Sequence, residues 1–398
     1  MKPQVDWTKV AAMLSSNSYQ YPDPYEWGFR RRVTEKFDTD RIIWGLLNCL
    51  IQNNIVFDGK TISIADLGCA DGQCIIRYTN GVSYQPGFVL DAFDSNEAYT
   101  GEGGLAHQTL QKSYNQGEQR SMPLKDFQIH CCNIFGDGLD QYRQNSNRYD
   151  LILFSHTNYH SPSQQQTNSL IKQGLNLLRP SSILLACHAK YGKNCFQFIR
   201  TGWGSHKRSS SEISDTPAMV IEYPTKSIAE AAKQNNAFVF ELEFNSRLFF
   251  TPDVIANLNK AKNSDVLFNL TSNQTSLLQD LLTLAFIVQR TPMGMYSSND
   301  WNSCIDAVLD SIEADSFNPR LLSMSMLESI QLIVPKHRSS VLCSTLSKLV
   351  EDFQSEIPNF IQQGRQDFQA WSQTESLEIY RELLESERLN PVQTNINQ

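Results

Sequence analysis

The sequence predicts an α/β fold in which an open, mostly parallel sheet carries helices on both faces. The first observation is that five short apolar segments alternate with longer polar or helical stretches; the segments span 61–67, 88–93, 127–132, 149–155 and 182–188. Such alternation is typical of strand–helix–strand units, whose strands run parallel. The second observation is that the first strand runs directly into a glycine-containing turn, at 66–72, that opens a helix.

Charge and composition narrow the class of protein. The chain has 398 residues, a formal net charge of −8, 40% hydrophobic residues and 19% charged residues. This composition is that of a globular protein with a full core, and the acidic balance predicts no nucleic-acid partner. No apolar run approaches the ~20 residues of a membrane helix, and the first residues lack the apolar stretch of a signal peptide. We therefore expect a cytoplasmic protein without a membrane partner.

The nine cysteines predict free thiols. Their number is odd, and spaced pairs of the C-x-x-C type, which zinc sites usually use, do not occur in the sequence. We expect neither a disulfide framework nor a metal site.

The N-terminal residues 1–60 are predicted to form a helical and aromatic lid. A helix from about Thr39 to Gln52 carries apolar residues at helical spacing. Before it, aromatic side chains cluster around the turn 22–24: Tyr19, Tyr21, Tyr25, Trp27 and Phe29.

The sheet domain is predicted to span 61–250 and to be followed by helices. A helix over 163–178 ends near Pro180, and 202–226 has the composition of a loop. A helix over 226–234 and two strands, 237–242 and 245–250 with a turn at Asn245-Ser246, are expected to complete the sheet with an antiparallel pair. Residues 251–390 are predicted to be a helical subdomain or cap, and 391–398 a disordered tail; the strongest helical segments are 276–291, 300–314, 340–354 and 376–388.

The turn after the first strand carries the chemistry. Glycines at 68 and 72 allow positive φ and close approach of a ligand to the backbone, and the helix that follows offers free N–H groups. A dinucleotide site would use G-x-G-x-x-G to receive a pyrophosphate, but the third glycine is missing and Asp66 precedes the first. An acid at this position suits a cationic ligand. S-adenosylmethionine (SAM) carries an amino group and a sulfonium, and Asp66 is placed to hold the amino group.

Polar residues follow the next three strands at the edge where open sheets bind ligands. Asp94 ends the second strand, where an acid binds ribose hydroxyls in nucleoside-binding folds, although a turn-forming aspartate is the alternative. Asn133-Ile134 follows the third strand and fits the edge and face of an adenine, or is simply a loop. The fourth strand ends in Ser155-His-Thr-Asn-Tyr-His160, either beside a reacting methyl group or as a structural corner.

Residues 61–188 resemble the class I SAM-dependent methyltransferase family, which has a Rossmann-like sheet. The segment Asp66-Leu-Gly-Cys-Ala-Asp-Gly72 is similar to the glycine-rich motif of that family, Asp94 to its ribose-binding acid, and Asn133-Ile134 to its adenine position. The resemblance implies SAM as cofactor and S-adenosylhomocysteine (SAH) as product. The implied cofactor-binding residues are Asp66, Gly68, Ala70, Gly72, Asp94, Ser95, Asn133, Ile134 and Ser155.

A second resemblance is to the histamine N-methyltransferase-like branch. The segment 25–31, Tyr-Glu-Trp-Gly-Phe-Arg-Arg, is similar to the N-terminal segment that lines the amine pocket of that branch. This resemblance implies that Asp38 is the amine-binding acid in shortened form and that His156 is the polar group after the fourth strand. The implied substrate-binding residues are Tyr25, Phe29, Asp38, His156 and Tyr159.

These patterns predict a methyltransferase that acts on a small-molecule amine by in-line displacement. Such a reaction depends on orientation and exclusion of water, and a protonated amine must first lose a proton. We expect His156 or His160 to take that proton, with Tyr159 beside them, and the aromatics at 25, 27 and 29 to wall the substrate or to pack as an ordinary lid.

Two other functions remain alternatives. One is O-methylation of a carboxylate or hydroxyl of a natural product or peptide, although an acidic Asp38 disfavours a carboxylate. The other is a non-catalytic SAM-fold protein that binds a partner through its helical C-terminal half. A side-chain-blocked pocket would indicate this last function. The sequence predicts no oligomeric state.

Overall fold

The computed structural model describes residues 5–17, 28–136, 138–139, 148–190, 224–288, 291–296, 300–315, 321–336 and 340–374. Eight strands are present in this part of the chain: β1 (Ile62–Leu67), β2 (Phe88–Asp94), β3 (Leu124–Cys131), β4 (Tyr149–Ser155), β5 (Leu178–Ala189), β6 (Ala237–Phe249), β7 (Ile312–Ala314) and β8 (Leu322–Pro335). The helices are α1 (Trp7–Leu14), α2 (Glu35–Gln52), α3 (Gln73–Asn80), α4 (Glu97–Thr100), α5 (Leu105–Gln116), α6 (Gln164–Leu177), α7 (Pro224–Gln234), α8 (Val254–Ala261), α9 (Ser264–Phe268), α10 (Thr275–Val288), α11 (Pro292–Tyr296), α12 (Asp300–Leu309), α13 (Ser340–Gln354) and α14 (Ile357–Thr374).

All eight strands belong to one sheet with the order β3-β2-β1-β4-β5-β8-β6, and β7 pairs with β8 at its edge. Strands β1 to β5 pair in parallel, whereas β8 is antiparallel to both β5 and β6. The predicted mostly parallel sheet with an antiparallel last strand is confirmed. The strand order reverses between β1 and β4, and such a reversal leaves a crevice at the carboxyl ends of the two strands.

The end of the sheet differs from its prediction. Residues 237–249 form one continuous strand, in which Asn245 pairs with Leu327 and Ser246 with Met326, so the predicted turn at Asn245-Ser246 is wrong. The strand that pairs with β6 comes from 322–335, inside the segment predicted to be helical. Serine and methionine alternate at the start of this segment, and such a period-two pattern is typical of a strand. The strand lies between β5 and β6, inside the sheet.

In the described part of the chain, three large apolar cores and one small cluster, made of Phe249, Leu321 and Phe368, hold the fold together. The first core lies between one face of the sheet and the helices α2, α3 and α13, and the third lies between the opposite face and the helices α6 and α7. The second core is helical and joins α1 to the segment between β6 and β8, mainly α8, α10 and α12. Helices α1 and α2 are therefore built into cores, and a lid function for residues 1–60 stays a prediction, as do the predicted domain boundaries.

A buried ion pair ties the segment before α2 to the helical core. The Arg32 guanidinium, 2% exposed, donates to Asp280 Oδ1 over 2.9 Å. Asp280 also accepts from the backbone N–H and the hydroxyl of Thr251 and from the Asn257 amide. Because both charges are buried, the network fixes where the chain enters α2.

None of the helices in the described ranges has the length and apolar character required to cross a membrane. The predicted helix over 376–388, the tail 391–398 and most of the predicted loop 202–226 lie outside the described residues.

Candidate active site

The turn between β1 and α3 has the left-handed geometry that its glycines predict. Gly68, Ala70 and Gly72 have φ values of 84°, 46° and 72°. A side chain at 68 would place its Cβ only 2.4 Å from Thr157 Cγ2, so glycine lets the β4 turn approach the β1 turn. Gly72 is the N-cap of α3 and has no side chain to cap it; the Gln73 N–H donates to Asp71 Oδ1 over 3.1 Å, and the other N–H groups of the first turn are left to a ligand.

Asp66 is a buried carboxylate in need of a cation. Its side chain is 2% exposed, and its Oδ2 accepts no hydrogen bond from the residues that the structure describes. Burial, together with the negative charges of Asp94 and Asp71, raises the pKa of Asp66 to about 7. A phosphate beside three carboxylates would be repelled, whereas an ammonium group would compensate the buried charge. The turn therefore fits an amino-acid-bearing cation such as SAM.

Asp94 closes the turn from the end of β2. The Ala70 N–H donates to Asp94 Oδ2 over 3.0 Å, and the Asn96 N–H donates to Asp94 Oδ1 over 2.9 Å. Each oxygen keeps a second lone pair, so the carboxylate can also accept hydrogen bonds from ribose hydroxyls. Ser95, between them, is exposed. The turn-forming role and the predicted ribose-binding role are thus compatible in one residue.

The predicted adenine position follows β3. Asn133 is exposed, and its Oδ1 accepts the Phe135 N–H over 3.0 Å, which is the bond of a local turn. Ile134 is 5% exposed and packs in the core on the α6 face of the sheet. Its burial leaves less apolar surface for a base than the sequence predicts, and an adenine contact at Asn133 and Ile134 stays a prediction.

The end of β4 brings together the predicted catalytic residues and helix α2. Ser155 Oγ lies 2.9 Å from the Tyr78 hydroxyl. His156 has a left-handed φ of 50°, its N–H donates to the Cys187 carbonyl over 2.8 Å, and its Nε2 lies 3.0 Å from Glu35 Oε1. Imidazole and carboxylate thus form a pair at the carboxyl edge of the sheet, next to the β1 turn.

The electrostatics of the pair keep Glu35 ionised. Burial raises the pKa of Glu35, but the charge and hydrogen bond of His156 and the charges of Lys36 and Arg77 outweigh it, so the pKa falls to about 2. An ionised carboxylate only accepts hydrogen bonds, so whenever the His156 ring carries a single proton we assign that proton to Nε2. Nδ1 is then the nitrogen able to take a proton.

His188 on β5 holds the turn that follows β4 through two hydrogen bonds. Its Nε2 accepts the backbone N–H groups of Thr157 and Asn158 over 3.0 and 2.9 Å. Burial and the charges of His156 and His160 lower the pKa of His188 well below its ordinary value, which keeps Nε2 an acceptor. This buried histidine therefore positions the turn that carries His156.

The other predicted residues of this cluster are less central. His160 is exposed, and its backbone N–H donates to the Thr157 carbonyl over 2.9 Å in a short helical turn. The structure does not describe the side chain of Tyr159, so its predicted catalytic and substrate-binding roles lie outside the described residues.

The predicted substrate wall is not assembled as expected. Tyr25 and Trp27 lie outside the described residues. Phe29 is 8% exposed and packs on Phe286 in the helical core with ring centroids 4.4 Å apart, because its apolar ring is more stable in that core than at a polar edge. The substrate role predicted for Phe29 is thus replaced by ordinary packing.

Asp38 is not available as an amine-binding acid either. Its carboxyl is fully buried, accepts from the Thr34 hydroxyl over 2.5 Å and pairs with Arg365 Nε at 3.4 Å. Burial raises the pKa of Asp38 to about 7 against the charge of Arg365. A cation from the protein itself already occupies the position predicted for the substrate.

Sequence reasoning missed Glu35 and Glu328. The predicted helix began about Thr39, four residues after the observed start of α2, although Thr34 followed by acids at 35 and 38 is a helix-start signal. Glu328 lies on β8, a strand inside the segment predicted to be helical. The sequence therefore did not predict that Glu328 lies at the carboxyl edge of the sheet.

Comparisons with known proteins give likenesses of fold only. No protein-family model matches the chain, and no curated protein matches it. Among solved structures, a putative sarcosine dimethylglycine methyltransferase from Galdieria sulphuraria shares 11% identity over 75% of this chain and 86% of its own, with a TM-score of 0.38. A SAM-dependent methyltransferase from Methanosarcina mazei shares 14% identity over 47% and 84%, with a TM-score of 0.35.

A third similar structure is the magnesium protoporphyrin IX methyltransferase of Synechocystis, with SAH bound. It shares 14% identity over 51% of this chain and 74% of its own, with a TM-score of 0.33. The resemblance to the histamine N-methyltransferase-like branch finds no support in these likenesses. At such identities and TM-scores the likenesses carry no argument about activity, which rests on the geometry of the site.

Proposed function

We propose that the protein is a SAM-dependent methyltransferase that acts on the amine nitrogen of a small molecule. The observation that carries the proposal is Asp66, a buried acid at the start of a left-handed glycine turn, with one oxygen unpartnered among the described residues. When bound, SAM would supply an ammonium group for this acid and a sulfonium methyl group that a nucleophile attacks in line, with the thioether of SAH as the leaving group. Asp94 would hold the ribose, and the backbone at 68–72 would contact the amino-acid part.

The pair of His156 and Glu35 supports an amine acceptor. An ammonium substrate must lose a proton before its nitrogen can attack, and Nδ1 of His156 is the group suited to receive it. The carboxylate of Glu35, 3.0 Å from Nε2, holds the ring and stabilises the imidazolium that forms. The proton thus moves from the substrate nitrogen to Nδ1, and the methyl group moves to the same nitrogen.

The same pair disfavours a carboxylate acceptor. Glu35 is ionised, so an anionic substrate beside His156 would meet a like charge. No observation on the described residues favours O-methylation or a purely binding role over amine methylation.

The direct test is transfer of a labelled methyl group from SAM to a panel of primary amines. His156→Asn is the informative variant, because asparagine tolerates the left-handed backbone at 156 and removes the base. We expect turnover to fall by about 10²–10⁴-fold with SAH affinity retained. His107→Asn, on the exposed face of α5, is the matched control and should behave as wild type.

Two results would contradict the proposal in different ways. Methylation of alcohols or carboxylates but no amine would overturn the acceptor class. An unchanged rate in the His156→Asn variant would remove His156 from the reaction while leaving the cofactor site intact.

A further inference from the structure

A second buried acid lies at the carboxyl edge of the sheet. Glu328 on β8 is 1% exposed, and its Oε2 accepts no hydrogen bond from the residues that the structure describes. Buried polar atoms are nearly always paired, so an orphaned carboxyl oxygen calls for an explanation.

The sheet register shows which way Glu328 faces. It lies opposite Ala189 at the end of β5 and opposite Phe244 on β6. Directly opposed residues of an antiparallel pair share a face, and Phe244 belongs to the core that packs on α2. Glu328 therefore faces the helix whose first turn carries Glu35 and Asp38.

The surroundings of Glu328 are acidic. Burial, followed by the negative charges of Glu35 and Asp38, raises the pKa of Glu328 well above its ordinary value. Asp38 has Arg365 at 3.4 Å, and Glu35 has His156 at 3.0 Å. The described residues show no ion pair for Glu328. The raised pKa therefore favours the neutral acid, and a cation placed beside Glu328 would stabilise its ionised form.

We infer that Glu328 and Glu35 together bind the cationic group of the methyl acceptor. This inference rests on the proposed function and deepens it, because it assigns the charge selectivity of the same site to a residue on the last strand. A substrate ammonium would donate hydrogen bonds to Glu328 Oε2 and would stabilise the ionised carboxylate, and the proton of Glu328 would leave to solvent. One proton of the ammonium would then pass to His156, while Glu328 would hold the amine in place.

The alternative is that Glu328 is a neutral acid with a purely structural role. Glu328→Gln separates the two, because glutamine keeps the size of the side chain and removes its charge. A structural acid predicts a variant that is at least as stable as wild type and unchanged in its preference among ligands. The inference predicts a loss that is specific to cationic ligands.

The experiment titrates SAH-saturated protein by calorimetry with a series of primary amines, from methylamine to 2-phenylethylamine, and with the alcohol of the same carbon skeleton in each case. We expect at least one amine to bind wild type more tightly than its alcohol, and Glu328→Gln to weaken that amine at least tenfold without changing binding of the alcohol. Glu243→Gln, a solvent-exposed acid on β6 paired with Lys190, is the matched control for loss of one negative charge and should leave both affinities unchanged.

Two outcomes overturn the inference. The first is that SAH-saturated wild type prefers none of the amines to its matched alcohol. The second is that Glu328→Gln binds the preferred amine as wild type does. Failure of the wild type to bind SAH at all is a separate result, and it overturns the proposed function itself.

Discussion

Asp66 lowers the stability of the fold and at the same time offers a binding group to a cation. A carboxyl that is buried without a partner weakens the fold whenever it is ionised, and it persists where a ligand makes up the loss. Asp66 is buried and lies directly before a left-handed turn, whose backbone a ligand can approach. This position, together with its charge, suits Asp66 to bind the ammonium group of a ligand.

The burial of Asp66 predicts how stability depends on pH. The pKa of Asp66 is about 7 in the folded protein and 3.8 in the reference state. Between these values the folded protein keeps a proton that the unfolded chain has lost, so the free energy of unfolding falls as pH rises from about 4 to 7. Asp66→Asn cannot titrate, and we expect it to be more stable than wild type at pH 8 by on the order of 1 to 4 kcal/mol.

Denaturant titrations of both proteins without cofactor, at pH 5 and pH 8, measure this difference. The difference in the free energy of unfolding between variant and wild type should be larger at pH 8, because Asp66 is ionised there in the wild type. Asp38 and Asp40 also have raised pKa values, but they titrate equally in both proteins, so their effects cancel. A gap that is the same at both pH values would show that Asp66 does not carry the buried charge.

Gly68 allows two turns of the site to touch, and the chain offers a matched control for this contact. Gly68 and Gly59 have the same φ of 84°, but a Cβ at 68 meets Thr157 at 2.4 Å whereas a Cβ at 59 meets nothing within 4 Å. We expect Gly59→Ala to cost about 1–2 kcal/mol of backbone strain. Gly68→Ala should cost more and should also weaken SAH binding. Equal losses of stability in urea titrations would show that the contact with Thr157 relaxes freely.

At the scale of elements, the segment 28–34 connects the helical core to the site. Arg32 pairs with Asp280 of α10, and Val33 forms a β-bridge with Leu248 of β6. Thr34 occupies the N-cap position of α2, the helix that presents Glu35. The helical core therefore helps to set the position of the Glu35 carboxylate, although it lies outside the sheet.

The contribution of the pair of Arg32 and Asp280 to the free energy of unfolding can be measured. Asp280→Ala leaves a guanidinium buried without its carboxylate, and we expect it to lower the free energy of unfolding by about 3–5 kcal/mol. Asp306→Ala removes an acid that pairs with Lys262 on the surface, and it should cost less than about 1 kcal/mol. Thermal and urea unfolding of both variants checks the contrast. Similar losses for the two would mean that Arg32 finds another partner.

The elements that the sequence predicted well are those whose signals are local. The strands β1, β2 and β4 are short apolar runs that end in polar residues, and α6 was predicted within a residue of its observed bounds. Strand β8 was missed because its two long partners, β5 and β6, lie more than 70 residues away in the chain, and its neighbour in sequence, β7, has only three residues.

The same reason limits prediction of the site. Asp66 lies at the end of β1 and His156 directly follows β4. Both are expected at one edge of the sheet, because ligands bind at the carboxyl ends of parallel strands. Glu35 and Glu328 reach that edge only through packing of α2 and pairing of β8, which no local pattern encodes. Asp38, three residues after Glu35, shows how a small shift along a helix turns a predicted ligand into a buried ion pair.

At the scale of the whole molecule, the described part of the chain combines one eight-stranded sheet with a helical segment inserted between the paired strands β6 and β8. The insertion adds a core of its own, which also takes up α1, and β8 then returns to the sheet between β5 and β6. Through this return β8 carries Glu328 to the carboxyl edge, so the insertion and the site are coupled by topology.

The central claim is that the glycine turn binds SAM, and calorimetry with SAH tests it most directly. Wild type, Asp66→Asn and Asp94→Ala would be titrated, with circular dichroism as the check on folding. The account predicts micromolar or tighter binding by wild type and at least tenfold weaker binding by each variant, about 1.4 kcal/mol or more. A folded wild type that binds no SAH, or variants that bind it as tightly as wild type, would contradict the account.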